Sequence, residues 1–200
     1  MLERQDDPAL IPWLEEAMSQ FYQHGIVVIP NAIPSDLCQI LLAEVSTSNE
    51  LQPAGVGRQL QLQRNADIRR DHTLWLDGSS DAQKHYLQRL DMLQQQVNRR
   101  CFLGLTHYEC HFARYQQGDF YQKHLDAFKG RSNRVLTTVC YLNNVQQGGE
   151  LVIYDEHDQW LLQVQPSQGC LVMFESERFP HEVKPAADVR YSIAGWFRKD

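Results

Sequence analysis

The chain has 200 residues, enough for one sizeable core, and 42% hydrophobic content, which fits a globular protein rather than a disordered one. With 19 Lys+Arg against 25 Asp+Glu the formal net charge is −6, which argues against a nucleic-acid partner without excluding a local basic patch. No apolar run reaches the roughly 20 residues that span a bilayer, and residues 1–7 lack the basic and apolar regions of a secretory leader, so a soluble, cytoplasmic protein with no membrane partner is expected.

Residues 12–24 predict a helix closed by Gly25, because Trp13, Ala17, Phe21 and Leu14, Met18 recur at helical spacing. Gly25-Ile-Val-Val-Ile-Pro30 reads as a short buried strand. Ser35 is the expected N-cap of a second helix through Leu37, Ile40, Leu41, Leu42 and Val45. Residues 51–77 carry Gly55 and Gly57 before Ile68-Arg-Arg-Asp-His-Thr-Leu-Trp-Leu76, a pattern that predicts a mobile loop and then a strand. A third helix is expected over 81–99, with Tyr86, Leu87, Leu90, Leu93 and Val97 on one stripe. Its glutamines Gln88, Gln94, Gln95 and Gln96 suit a solvated face.

From Thr106 onward the period changes to two. Strands are expected over 106–115, 121–125, 135–142, 150–154, 160–165, 170–174, 181–184 and 191–198. Turn-forming runs separate them, among them Gln116-Gln-Gly118, Gln146-Gln-Gly-Gly149, Ser167-Gln-Gly169 and Pro185-Ala-Ala-Asp188. About eight short antiparallel strands at this spacing point to an α+β, mainly β chain. Its core would be a double-stranded β-helix, or jelly roll, with buttressing N-terminal helices. The expected organisation is a single domain over 1–200, helical support to about residue 100 and the jelly roll from about residue 101. Cys38, Cys101, Cys110, Cys140 and Cys170 are odd in number and lack metal-knuckle or redox-pair spacing. Small buried hydrophobes in a reducing compartment account for them.

The chemistry concentrates in His124-x-Asp126 and, much later, Pro180-His181 and Arg190. On an extended segment His124 and Asp126 project to one side. Two imidazoles and one carboxylate make the facial triad that leaves positions open on a non-haem Fe(II). If Pro185–Asp188 closes a hairpin, His181 faces Arg190, and Arg190, Ser192, Ala194 and Trp196 line the interior beside the metal. A guanidinium there can hold a carboxylate bidentately, as the distal end of 2-oxoglutarate requires. These residues point to an oxygenase that consumes 2-oxoglutarate and O2 to hydroxylate a further substrate. Tyr115 and Tyr141, with Thr137 beside them on the expected strands, are candidates to complete the cosubstrate pocket. A purely structural hydrogen bond is the alternative for each tyrosine. A closed zinc site would need a fourth ligand, and no cysteine is suitably placed. His107, His111 and His157 read as core or surface residues. Gly148-Gly149-Glu150-Leu151 reads as a turn feeding a strand. Lys123, Lys129, Arg131 and Arg134 form a basic loop that flanks the metal motif and could steer a substrate.

In combination these segments resemble the prolyl-hydroxylase branch of the Fe(II)/2-oxoglutarate oxygenases, as a bacterial relative of the hypoxia-inducible-factor prolyl hydroxylases. The resemblance runs from Ile68 to Phe197 and is strongest over residues 179–197. It also takes in Ile68-Arg-Arg-Asp71 with Trp75, Tyr115…Gly118…Tyr121…His124-x-Asp126, and Tyr141-Leu-Asn143 with Gly148-Gly-Glu-Leu151. It implies Fe(II) ligation by His124, Asp126 and His181, and a salt bridge from Arg190 to 2-oxoglutarate with Tyr141 as hydrogen-bonding partner. It implies that Tyr115, Tyr121 and Trp196 line the cosubstrate and prolyl pocket, with Arg134 on the substrate side. The segment 52–67 occupies the place of the family's mobile substrate-covering loop. Ala194 stands where the animal enzymes carry a hydroxyl residue, so one cosubstrate hydrogen bond is expected to be absent or water-mediated. With no extended tail beyond Asp200, loops are expected to carry substrate recognition.

The expected activity is C4 hydroxylation of a prolyl residue exposed on a protein, such as an elongation factor of the translation machinery, with ascorbate as a possible reductant. A free amino acid or small metabolite is the alternative substrate. A sensor of oxygen or 2-oxoglutarate that acts mainly by binding a protein is the alternative from another class. A nucleic-acid demethylase sharing the metal chemistry is disfavoured by the acidic balance.

Overall fold

Helix α1 (Leu14–His24) buries Leu14, Ala17, Met18 and Phe21, the stripe its spacing requires. It stops where Gly25 turns left-handed (φ 72°) and returns its N–H to Phe21 O. These features come from a computed structural model that describes residues 13–55, 65–128, 130 and 132–200. Helix α2 (Ser35–Thr47) departs from expectation at its start. Ser35 is already helical, Pro34 is the N-cap without a side-chain bond, and the Ser35 hydroxyl instead donates to the Gln168 side chain. Ile40 also faces outward, while Leu37, Cys38, Leu41 and Val45 are buried. In α3 (Asp81–Cys101) Ser80 caps the N-terminus by accepting from the Gln83 N–H. Tyr86, Leu90, Leu93 and Val97 form the buried stripe, and Gln96 is buried with them rather than solvated. It lies three residues after Leu93, which rotates it to the border of the apolar face.

Eleven strands follow in chain order: β1 (Ile26–Ile29), β2 (Gln52–Pro53), β3 (His72–Trp75), β4 (His107–Tyr115), β5 (Tyr121–His124), β6 (Arg134–Tyr141), β7 (Leu151–Tyr154), β8 (Trp160–Val164), β9 (Leu171–Glu175), β10 (His181–Val183) and β11 (Arg190–Arg198). The eight from β4 to β11 are those expected from the alternation. They build a jelly roll of two antiparallel sheets. One has seven strands in the order β1-β9-β6-β11-β4-β3-β2, and the other four in the order β5-β10-β7-β8. Strands β1, β2 and β3 from the N-terminal half widen the larger sheet.

The larger sheet separates two apolar layers, because alternate residues point to opposite faces. Its outer face carries Phe112, Leu136, Cys140, Met173, Ile193 and Phe197 against the helices. Its inner face carries Ala113, Tyr115, Val139, Tyr141, Val172 and Phe174 toward the smaller sheet. Each fully buried phenylalanine here contributes about 2–3 kcal/mol by removal from water. All five cysteines are free, four of them buried and Cys101 half-buried. Among the described residues no helix is long and apolar enough to cross a membrane.

One expectation is corrected. Strands β10 and β11 do not form a hairpin: β10 pairs with β5 and β7 in the smaller sheet, whereas β11 lies between β4 and β6 in the larger one. The run 185–188 therefore crosses between sheets. Arg190 faces Tyr115 in register, not His181. Gly148 and Gly149, both at positive φ, let this crossing pass close, since a Cβ on Gly148 would lie 2.4 Å from Pro185 O.

Candidate active site

The pairing of β10 with β5 sets His181 directly opposite His124. Asp126 follows two residues beyond His124, on the same side of the extended segment. One ligand atom from each of the three lies within 4.8 Å of the others, the only such group among the described residues. Asp126 Oδ1 is 3.4 Å from His124 Nε2 and Asp126 Oδ2 is 3.6 Å from His181 Nε2. The far ring nitrogens are fixed by backbone carbonyls: His124 Nδ1 donates to Gln122 O (2.8 Å) and His181 Nδ1 to Phe179 O (3.1 Å). A donor at Nδ1 leaves the lone pair on Nε2, which points toward the carboxylate and a prospective ion.

Asp126 is oriented from the larger sheet. Its Oδ2 accepts from Thr137 Oγ1 (2.8 Å) and Trp196 Nε1 (2.9 Å), and Thr137 shares a further hydrogen bond with Ser176 Oγ (2.9 Å). Burial alone would raise the Asp126 carboxyl. The facing His181 and His124 and the Trp196 N–H outweigh burial and hold it well below the usual carboxylate range. Burial, then His124, pushes the His181 imidazole down to about 4. The group therefore presents a neutral His181 imidazole nitrogen and an ionised Asp126 carboxylate oxygen. This donor set suits Fe(II), and among the described residues no fourth protein ligand joins it to close a zinc site.

Arg190 enters the same cavity from the larger sheet. It is 1% exposed, and its guanidinium lies 4.7 Å from the Tyr115 ring centroid and 5.1 Å from that of Tyr141. Its one side-chain hydrogen bond among the described residues runs from Nη1 to Ser192 Oγ (3.2 Å), and no carboxylate pairs with it there. Arg190 Nε and the Tyr141 hydroxyl are both buried without a protein partner among the described residues. Burial raises the Tyr141 phenol to about 12, so at neutral pH it can donate. A buried cation beside an unused phenolic donor fits a carboxylate-bearing ligand.

Strand register defines the floor between the metal ligands and Arg190. Across β6, β11 and β4, Tyr141, Ser192 and Ala113 form one row and Val139, Ala194 and His111 the next. Thr137, Trp196 and Glu109 form the third. Ala113, Ser192 and Ala194 are small, which leaves a channel from the Asp126 end to Arg190. The whole cavity has a volume of about 1870 Å³. A second groove of about 550 Å³ lies between the free edges β1 and β8, away from these groups.

The mouth is aromatic and charged. The Arg134 guanidinium sits 3.6 Å from the Trp196 ring centroid and shares Glu109 with Arg198. Trp75 is 54% exposed and meets His111 edge-on at 5.3 Å. Phe128 is also exposed on this rim. Lys123 bonds Asp158 and covers the Tyr154 ring rather than projecting freely. Lys129 and Arg131 lie outside the described residues. Of the segment 52–67, residues 56–64 also lie outside them.

All the residues expected at the site except Tyr141 line this one cavity, with differences of role, and Tyr141 is fully buried beside Arg190. Thr137 bonds the Asp126 carboxylate, a contact that alternation along β6 could have suggested only with the sheet order known. His111, expected in the core or on the surface, is buried in the cavity wall. Ser176 carried no sequence signal. Arg69 and Asp71 lay in a matching segment but had no assigned part. Arg69 Nε lies 2.5 Å from Asp71 Oδ1 in a buried pair beside Tyr121.

A family model described as "2OG-Fe(II) oxygenase superfamily" matches residues 110–198. A solved prolyl-4-hydroxylase from Pseudomonas putida is 37% identical with a TM-score of 0.84, covering 94% of this chain and 99% of that one. A Trichoplax adhaerens prolyl hydroxylase, solved with a peptide fragment of the hypoxia inducible factor oxygen degradation domain, is 25% identical. Its TM-score is 0.83, with coverage of 97% and 94%. Egl nine homolog 1 of Mus musculus is 27% identical over 207 residues, covering 95% of this chain and 50% of its own length. The chain thus spans about half the length of the curated relatives it matches.

Proposed function

This chain belongs to the 2OG-Fe(II) oxygenase superfamily, within its prolyl-hydroxylase branch, and from that premise we propose that it hydroxylates a prolyl residue of a protein substrate at C4. The observation that carries the reading is the pairing, across one cavity, of the His124, Asp126 and His181 triad with the buried Arg190, which meets no carboxylate among the described residues. Fe(II), when held by the triad, supplies activation of O2, while 2-oxoglutarate gives up two electrons and leaves as succinate and CO2.

The protein's own residues do the holding. Thr137 and Trp196 fix the Asp126 carboxylate, and the Gln122 and Phe179 carbonyls fix the imidazoles. Arg190 binds the distal carboxylate of 2-oxoglutarate bidentately, with Tyr141 donating a further hydrogen bond. Tyr115 covers the guanidinium, and Tyr121 and Trp196 flank the acceptor. Arg134, tethered by Glu109 over Trp196, meets the substrate side. The wide cavity with exposed Trp75 and Phe128 at its rim suits a peptide segment better than a free amino acid. An exposed loop of a translation protein, such as an elongation factor, is the proposed class of acceptor. The free cysteines and the absence of a spanning helix among the described residues support a cytoplasmic setting, and residues 1–200 are taken as one catalytic unit.

The test is mass spectrometry of an extract from cells lacking this protein, incubated aerobically with Fe(II), 2-oxoglutarate, ascorbate and the pure protein. A one-oxygen gain on a single proline, absent with Asp126→Ala, is the expected result. Succinate formation driven by the small-molecule fraction, with no gain on protein, would move the substrate to a metabolite. Partner binding that survives Asp126→Ala, with no oxidised product, would instead make the protein a sensor.

A further inference from the structure

The His124 imidazole lies flat on the Tyr121 ring, with centroids 3.6 Å apart and planes 17° from parallel. The Arg69 guanidinium lies over the same tyrosine at 4.6 Å. A ring stacked that closely on one face can take a cation only on the other, so Tyr121 is held between Arg69 and the metal ligand. Arg69 is itself clamped by Asp71: Nε to Oδ1 at 2.5 Å and Nη2 to Oδ2 at 2.8 Å. Asp71 is 1% exposed and the Arg69 side chain is largely covered, so the clamp is mostly desolvated.

The backbone repeats the connection. Arg69 bridges Tyr121, the Gln122 N–H donates to Ile68 O (2.9 Å), and the Arg70 N–H donates to Phe120 O (3.1 Å). Gln122 O is the acceptor that fixes His124 Nδ1. One short segment, residues 68–71, thus braces both the face of the His124 ring and the carbonyl that sets its tautomer. A buried ion pair is costly compared with apolar packing, and its usual return is a defined arrangement of neighbouring groups. Arginine also suits this place because its planar fork can grip a carboxylate and stack on a ring at once, which lysine cannot do.

We propose that Arg69 and Asp71 are positioning residues for the metal ligand His124, acting through the Tyr121 ring; this rests on the reading of the triad as a metal centre. Co(II) titrated into the whole metal-free protein, followed by its ligand-field spectrum and by calorimetry, tests the proposal. Arg69→Lys is expected to weaken Co(II) binding about tenfold, the lower end of the range for groups that orient ligands. The His124 ring-proton resonance of the metal-free protein is expected to move as the Tyr121 ring loosens. Because the effect runs through Tyr121, Arg69→Lys in a Tyr121→Leu background is expected to add no further loss. A general loss of stability would add in both backgrounds. If Arg69→Lys does not fold, Asp71→Asn, which leaves the guanidinium but slackens its fork, takes its place in the cycle. Co(II) affinity within twofold of the parent, or equal losses in both backgrounds, would overturn the proposal. No Co(II) binding by the parent protein, or undiminished binding by Asp126→Ala, would instead reject the metal centre itself.

Discussion

Replacing Tyr141 by phenylalanine is expected to have opposite effects on stability and on cosubstrate binding. The Tyr141 side chain is fully buried, and its hydroxyl has no protein partner among the described residues. A buried hydroxyl without a partner costs about 1–3 kcal/mol. Tyr141→Phe keeps the ring and removes that group, so the ligand-free protein is expected to gain about 1 kcal/mol, or about 2–4 °C in Tm for a chain of this size. With 2-oxoglutarate bound beside Arg190, the same hydroxyl would donate to a carboxylate, a bond worth about 1.5–3 kcal/mol. Its loss is expected to raise the Kd for 2-oxoglutarate at least about tenfold. Urea denaturation of the metal-free protein reads the first effect. Calorimetric titration of the Co(II)-loaded protein with 2-oxoglutarate reads the second. A variant that is less stable without ligand, or that binds 2-oxoglutarate within twofold of the parent, would refute the assignment of the orphan phenol to the cosubstrate.

Thr137→Val removes the hydroxyl that donates to Asp126 Oδ2, and Co(II) affinity is expected to fall about tenfold in a chelator competition assay. Acid sensitivity should trace to His111 and His181, whose imidazoles burial pushes down to about 4, helped by Arg69 and His124 respectively. Unfolded histidines titrate near 6.5, so the unfolded chain takes up protons that the fold refuses; this contribution to stability is complete above about pH 6.5 and is lost as pH falls toward 4, at most about 3 kcal/mol per residue. Denaturation of the metal-free protein at stepped pH measures it, and His111→Gln is expected to reduce the slope by about half. Gly195→Ala would place a Cβ 2.2 Å from the Tyr108 hydroxyl and 2.8 Å from Cys110 Cβ. Overpacking of about 1–3 kcal/mol is expected by urea denaturation, partly relieved by adding Tyr108→Phe.

The sequence by itself determined the local elements and the identity of the chemistry. Alternate residues of a strand point to opposite sides, and that pattern between turn-forming runs marked all eight strands from β4 to β11, although those of the larger sheet between β4 and β11 have an apolar layer on each face. His-x-Asp on an extended segment placed two ligands on one side for the same reason. Residue chemistry alone could propose His181 and Arg190 as their partners, since a facial triad and a carboxylate clamp call for those side chains. Only the tertiary structure decided which sheet each strand joins. Local periodicity carries no information about that choice, so β10 and β11, separated by a short turn-like run, read as a hairpin although they belong to opposite sheets. The same gap hid the supports. Thr137 meets Asp126 through the packing of one sheet on the other, Ser176 meets Thr137 from the turn after β9, and Arg69 braces Tyr121 from a segment far earlier in the chain. Gln96 and Ser35 were misplaced for a smaller reason of the same kind. At the margin of a helix, burial and capping are settled by whatever packs there, and that neighbour is fixed only when the chain closes on itself.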